Sequence, residues 1–230
     1  MVRATGPGMH PPTPIFPHIP DGVYFSPWIG DEYHLGFHGR RLLVLGESHY
    51  DTWDDGEGRG PIKHKLGPDF TKECVAKVIR REGAALWRYI EQILLNEGRK
   101  DGWAPSGASV WPHLAFYNFI QAAVEGKARQ RPPVESFVQD RAAFREILEL
   151  LRPERVLVCG KTLWRLMEAT REEDRLHPCL QAYRLRGGDR VWCLAVRHPS
   201  SYCQWTKLHP IVMSFFDAPS DCARMLASAQ

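Results

Sequence analysis

The sequence predicts an α/β fold with three layers, α/β/α, around a central, mostly parallel sheet of four strands. Two observations lead there. Four short apolar runs, at 41–45, 114–117, 155–158 and 190–196, alternate with stretches whose apolar residues keep helical spacing. That alternation builds parallel sheets with helices on both faces. In addition, the first and last runs empty directly into polar clusters, Gly46-Glu47-Ser48-His49-Tyr50 and Arg197-His198-Pro199-Ser200-Ser201. Ligands of open parallel sheets bind at the C-terminal strand ends, where clusters distant in sequence can meet.

Residues 1–22 carry six prolines (7, 11, 12, 14, 17 and 20) with Gly6 and Gly8, the composition of an extended arm, and Phe16 and Tyr24 are aromatic anchors for it. Residues 23–230 then form a single domain. Strand one, Arg41 to Leu45, runs into a loop rich in Gly and Asp, from Asp51 to Gly60. Helical spacing follows in Val75, Val78 and Ile79 and again in Leu86, Ile90 and Leu94, with Gly83 dividing the two. Strand two runs from Ser109-Val110-Trp111 through Leu114-Ala115-Phe116-Tyr117 and leads into Asn118; Pro112 within it makes it start late or bulge. Ser136 to Leu151 reads as one helix with Phe137, Val138, Phe144, Ile147, Leu148 and Leu151 largely on one face, stopped by Pro153. Strand three is Arg155 to Val158, followed by Gly160 and a helix from Thr162 to about Ala169. A Gly187-Gly188 turn precedes strand four, Arg190 to Val196, and a terminal helix fits Ser220 to Ala227.

A chain of 230 residues is long enough to bury a full core. Its 43% hydrophobic content and mean hydropathy of −0.36 are those of a soluble globular protein. No apolar run approaches the ~18 to 20 residues of a membrane span, and the proline-rich N-terminus lacks the pattern of a secretory signal. A cytoplasmic protein is expected. The net charge of +3 permits contact with nucleic acid without requiring it. Arg40, Arg41, Lys63, His64 and Lys65 lie near the first cluster, and Arg197 and Lys207 near the second. The six cysteines, at 74, 159, 179, 193, 203 and 222, contain no C-x-x-C pair, so zinc-ribbon and iron–sulfur signatures are missing and free thiols are expected.

The motifs narrow the chemistry. Ser48 beside His49 is not a hydrolase nucleophile elbow, because the required second glycine is Tyr50. Gly160-Lys161-Thr162 resembles the end of a phosphate-binding loop, but the glycine such a loop needs five residues earlier is Arg155, which leaves a tight strand-to-helix turn. His198 precedes proline and is therefore held extended, with two hydroxyls following. Asn118, at a third strand end, presents a donor and an acceptor side by side, matching the edge of a nucleobase.

Taken together these segments resemble the uracil-DNA glycosylase superfamily. Its first motif is a glycine-led loop after strand one, G-Q-D-P-Y-H in one branch and G-E-x-P-G in the iron–sulfur branch, and its last is an H-P-S type loop after the final strand. Phe116-Tyr117-Asn118 looks like the strand end that carries the base-reading asparagine. Arg131-Pro132-Pro133 and the following helix look like the segment leading into strand three, and Leu151 to Gly160 resembles the L-x-P-x-x-I-x-x-x-G run. The resemblance covers roughly residues 40 to 205, with the motifs in order.

The resemblance implies a DNA glycosylase-like hydrolase that flips a uracil or other modified base from DNA and cleaves its N-glycosidic bond with water. It implies no cofactor and no metal, DNA (single- or double-stranded) as the partner, no membrane, and a monomer. By residue, it gives His198 to the departing base and Glu47 to orienting water or stabilising the cationic sugar. Gly46, Ser48, His49, Tyr50 and Asn118 form the base pocket. Ser200 and Ser201 grip the DNA backbone, and Tyr202 or Trp205, in the loop after them, wedges into the base stack. Trp53 and Phe70 are candidates for the base-stacking aromatic. The chain differs from the family pattern in having Ser48 where one branch has its water-activating Asp, and His49 where both branches have Pro. Glu47 or Asp51 would then have to activate the water. Three alternatives stay open: a module of the same fold that binds nucleic acid or a modified base without catalysis, a hydrolase of a free nucleoside or nucleotide, and a protein that binds a partner through its proline-rich arm.

Overall fold

The computed structural model describes residues 19–54, 61–82, 85–98, 109–126, 130–198 and 204–228. In chain order the elements are β1 (Trp28–Ile29), β2 (Leu42–Gly46), β3 (Thr52–Asp54), β4 (Pro61–Lys63), α1 (Phe70–Ile79), α2 (Ala85–Leu95), β5 (Leu114–Asn118), α3 (Val134–Gln139), α4 (Arg141–Leu151), β6 (Arg155–Cys159), α5 (Lys161–Leu166), β7 (Arg175–His177), β8 (Leu180–Arg184), β9 (Arg190–Val196), α6 (Trp205–Asp217) and α7 (Pro219–Ser228).

Seven strands form the main sheet, in the order β1-β5-β2-β6-β9-β8-β7, where four were expected. The four expected strands are its centre: β5, β2, β6 and β9 pair in parallel. β1 adds an antiparallel edge on one side, and β8 and β7 add two antiparallel strands on the other. β2, β5 and β6 are buried along their whole length, as continuous apolar runs in a sheet covered on both faces should be.

Alternation along β2 sorts the core. Leu42 and Val44 pack with Val75 and Val78 of α1, Ile90 and Ile93 of α2, Val212 and Phe215 of α6 and Cys222 of α7. Leu43 and Leu45 pack with Phe137 of α3, Phe144, Ile147 and Leu148 of α4 and Leu163 of α5. The period of two along a strand thus divides the helices into two groups on opposite faces.

Several expectations need correction. The single helix from Ser136 to Leu151 is two helices that meet at Asp140 (φ −88°, ψ 1°). Asp140 leaves the helical path and accepts the backbone N–H of Gln121 through Oδ2 at 2.8 Å, tying the helix pair to the segment after β5. The Gly- and Asp-rich loop contains a small hairpin, β3 with β4. Strand two does start late: Trp111–His113, with Pro112 at its centre, form a single 3-10 turn before Leu114. The turn at Gly187-Gly188, with Gly188 at φ +87°, joins β8 to β9. Gly83 and residues 1–18 of the arm lie outside the described residues. No helix among the described residues is long and apolar enough to cross a membrane.

Candidate functional site

β2 and β5 end together, with Gly46 opposite Asn118. Their pairing continues past the strand ends. Phe119 donates its N–H to the Gly46 carbonyl at 3.0 Å, Ile120 to Glu47 at 2.9 Å and Val124 to His49 at 2.8 Å, while Asp51 donates to Val124 at 3.0 Å. Residues 46–51 and 118–124 therefore form one backbone-bonded unit, with Tyr50 bridged to Val124.

Inside that unit Asn118 is 5% exposed and His49 6%. A Cβ at Gly46 would lie 2.1 Å from Asn118 Oδ1, so only glycine lets the amide sit where it does. Asn118 Nδ2 lies 3.1 Å from His49 Nδ1, and His49 Nε2 lies 2.8 Å from Thr71 Oγ1 on α1. Phe25 and Phe70 pack edge-on to the His49 ring, at 4.8 and 5.0 Å between centroids. Burial pushes the imidazole down to about 4, which makes it neutral at pH 7. Gln121 completes the support: its Nε2 donates to the Asn118 carbonyl at 2.7 Å, and its Oε1 accepts from the N–H groups of Tyr24 and Phe25 at 2.9 Å each.

Glu47 is half-buried at the mouth of this unit. Burial raises its carboxyl above the ordinary value, and the Arg131 guanidinium opposes that shift. Arg131 also lines a cleft of about 410 Å³ with Ile120, Val124, Glu125, Pro132 and Ser136. A larger cleft of about 450 Å³, beside Thr170, Arg175 and His177, contains none of the expected site residues. Ser48 Oγ is buried with no hydrogen-bond partner among the described residues. Asp51 is fully engaged in structure. Its Oδ1 accepts from Gly126 N–H at 2.9 Å and from Thr52 Oγ1 at 2.8 Å, and its Oδ2 lies 3.3 Å from Lys63 Nζ. These bonds hold its carboxyl below the usual range, the Gly126 N–H foremost.

The other half of the site hangs on β6 and β9. Gly160, at φ +136°, ends β6 and donates its N–H to the Val196 carbonyl at 3.0 Å. His198 Cδ2 lies 3.8 Å from where a Cβ at residue 160 would be, so the glycine turn carries β6 past the histidine. Burial lowers the His198 imidazole below its ordinary value. β2 and β9 stand two places apart in the sheet, and at about 4.8 Å per strand their ends are on the order of 10 Å apart.

Above α1 the β3–β4 hairpin adds an aromatic wall. Trp53 stacks on His64 at 3.7 Å with 5° between planes and on Phe70 at 5.5 Å with 22°. Phe70 thus serves His49 on one side and Trp53 on the other.

Of the expected site residues, Gly46, Glu47, Ser48, His49, Tyr50, Asn118 and His198 all lie at the C-terminal edge of the parallel strands. Ser200, Ser201 and Tyr202 lie outside the described residues. Trp205 is not in a loop: it opens α6 and is partly buried against the helical core, because its indole completes the cluster beneath that helix. Sequence reasoning assigned no role to Arg131, Thr71 or Gln121. Only Arg131 left a signal, a cation set just before two prolines.

No protein-family model and no curated protein matches the chain. Chemically, the edge brings together a carboxyl group, an amide with a fixed environment and a neutral imidazole. That set can bind a heterocycle with polar edges and stabilise charge forming on both sides of a bond held between Glu47 and His198.

Proposed function

We propose that the protein is a hydrolase of the DNA glycosylase type, which takes a modified base at the C-terminal edge of its parallel strands and releases it with water. The observation that carries this reading is the delivery of Glu47, Asn118 and His198 by β2, β5 and β9, three of four adjacent parallel strands. The two helical groups on opposite faces support a three-layer, glycosylase-like fold.

The glycosidic bond breaks with its electron pair passing to the base nitrogen. Water adds to the anomeric carbon and loses a proton to Glu47. Arg131 favours the ionised carboxylate that stabilises the cationic sugar and orients that water. His198, neutral at pH 7 because burial disfavours its charged form, donates a hydrogen bond to the departing base. Asn118 reads the base edge. Ser200 and Ser201 hold the backbone of DNA, and the wedge falls to Tyr202, since Trp205 is packed into the start of α6. The protein acts as a cytoplasmic monomer.

One observation favours a second reading, a base-binding module without hydrolysis. Ser48 is uncharged and Asp51 is held by Gly126, Thr52 and Lys63, so Glu47 is the one carboxylate of this motif left to activate water.

A panel of oligonucleotides carrying uracil, hypoxanthine and other modified bases, followed by alkaline cleavage of abasic sites, tests both. The glycosylase reading expects an abasic product with the natural chain and loss of turnover in Glu47→Ala and His198→Ala. Full activity in both variants would remove their roles, and binding without abasic product would establish the second reading.

A further inference from the structure

We infer that the cleft between residues 120–125 and 131–136 is a phosphate subsite, in which Arg131 and the backbone N–H groups of Ala122 and Ala123 hold a phosphate carried by the sugar of the bound base. This rests on the reading that the neighbouring strand edge receives a base, and names the group that accompanies it.

The cleft has a volume of about 410 Å³. Its first wall is the segment after β5, whose Ile120 and Val124 donate their N–H groups to the carbonyls of Glu47 and His49 at 2.9 and 2.8 Å. Within that wall the Gln121 N–H is taken up by Asp140 at 2.8 Å. The donors of residues 120, 121 and 124 are therefore engaged inside the protein. Those of Ala122 and Ala123 have no partner among the described residues. Ala122 is exposed and Ala123 half-buried, and a methyl side chain lets a ligand come close to the backbone beneath it. Successive free N–H groups on open backbone form a concavity that binds anions.

The second wall brings the charge. Arg131 is exposed and makes no hydrogen bond or ion pair among the described residues, whereas Arg145, Arg184 and Arg190 are each held by a carboxylate at 3.0 Å or less. Its planar fork matches two phosphate oxygens at once. Pro132 follows it and restricts its backbone, which fixes the root of the side chain. Ser136 adds a hydroxyl to the lining from α3. Of the two carboxylates nearby, Glu125 is bound to Lys63 Nζ at 2.9 Å, and Glu47 is half-buried with its charge opposed by Arg131. A guanidinium has five N–H donors, enough to serve a phosphate while it acts on Glu47 through space. The apolar part of the lining, Ile120, Val124, Pro132 and Pro133, suits the carbon face of a sugar.

The test uses probes that carry the phosphate and lack the base. The first is a short single-stranded oligonucleotide with a tetrahydrofuran residue in place of one nucleoside. Two relatives of it replace the phosphodiester on one side or the other of that residue by an uncharged methylphosphonate. In the natural chain one of the two replacements should weaken binding about tenfold to a hundredfold, the range for hydrogen bonds to a charged group. Arg131→Gln should lose a similar factor on the unmodified probe and show no further loss with the methylphosphonate. Its slope of log affinity against log salt should be shallower by about 0.7. Arg131→Lys should keep the slope and regain part of the affinity. The Ala122 and Ala123 amide resonances should shift with the phosphodiester probe and not with the methylphosphonate. Equal methylphosphonate losses in the natural chain and Arg131→Gln, or unshifted amides, would overturn the subsite. Deoxyribose 5-phosphate separates the two sources of the group. Arg131-dependent binding of it, with no methylphosphonate effect at either linkage, assigns the phosphate to a free nucleotide; a methylphosphonate effect assigns it to a nucleic-acid chain; neither overturns the subsite. Because no probe has a base, an Arg131-dependent phosphate effect alongside modified-base oligonucleotides that give no preference and no abasic product would refute the base reading alone. Base release without any phosphate effect would refute the subsite alone.

Discussion

The amide oxygen of Asn118 occupies the space into which any side chain at Gly46 would project, 2.1 Å from the ideal Cβ position. The backbone of Gly46 lies in an ordinary strand, so the restriction is one of room and not of conformation. Gly46→Ala should therefore cost on the order of 1–3 kcal/mol, the range for overpacking a filled site, and should displace Asn118 from His49. Urea unfolding checks the first effect and the Asn118 side-chain amide resonances the second. Unchanged resonances would show that the amide does not need that space.

Gly160 is constrained differently. Its Cβ would meet His198 at 3.8 Å, an ordinary contact, but its φ of +136° is one that side chains resist. Gly160→Ala should lose on the order of 1–3 kcal/mol of stability through backbone strain. His198→Ala carries no such backbone strain and should remove base release. Thermal melts alongside abasic-site formation separate the two; equal loss of stability in both would contradict it.

Acid should unfold the protein partly through His49. A buried imidazole favours the neutral form, so its contribution is complete above its unfolded value of 6.5 and is lost as pH falls toward about 4 in the folded state. That interval corresponds to about 3 kcal/mol. Urea midpoints at pH 7.5 and 4.5 should show a drop in the natural chain that is largely missing in His49→Phe. The same drop in both proteins would assign the acid sensitivity to other groups.

Glu47 should titrate in the opposite sense to an ordinary paired carboxylate. Burial raises its carboxyl and Arg131 opposes the rise, so its acidic limb in base release should sit above that of a free glutamate. Arg131→Gln should move that limb to still higher pH. A pH–rate profile, or carboxyl ¹³C titration of Glu47, measures this, and a limb that stays put would mean Arg131 does not act on the carboxyl.

The parallel centre of the sheet was legible because β2, β5 and β6 are buried on both faces, and burial of that kind writes itself as unbroken apolar runs. The edge strands were not: β1 has two residues and β7 three, too few for any period to register. α6 was hidden by Pro210, which lies in its interior and reads as a breaker. The break at Asp140 depends on a bond to Gln121 across 19 positions, and no local pattern encodes it. The site followed the same division. Gly46 and Glu47 at one strand end, Asn118 at another and His198 at a third could be placed by their strands. The roles of Thr71 and Gln121 could not, because each acts through a side-chain contact with a residue on another element.

The bonds from Phe119, Ile120 and Val124 to residues 46–49 extend the β2–β5 pairing beyond the sheet, while His198 follows directly on β9, whose last residue accepts the Gly160 N–H at the end of β6. The 46–51/118–124 unit and the His198 end thus sit at different places on one continuous sheet, and only the first carries its pairing past the strand ends. Amide exchange should protect residues 46–51 and 118–124 as one cooperative block, with the His198 region opening on its own schedule. Such a seam would let residues 46–51 and 118–124 change in sequence while the end of β9 stays as it is.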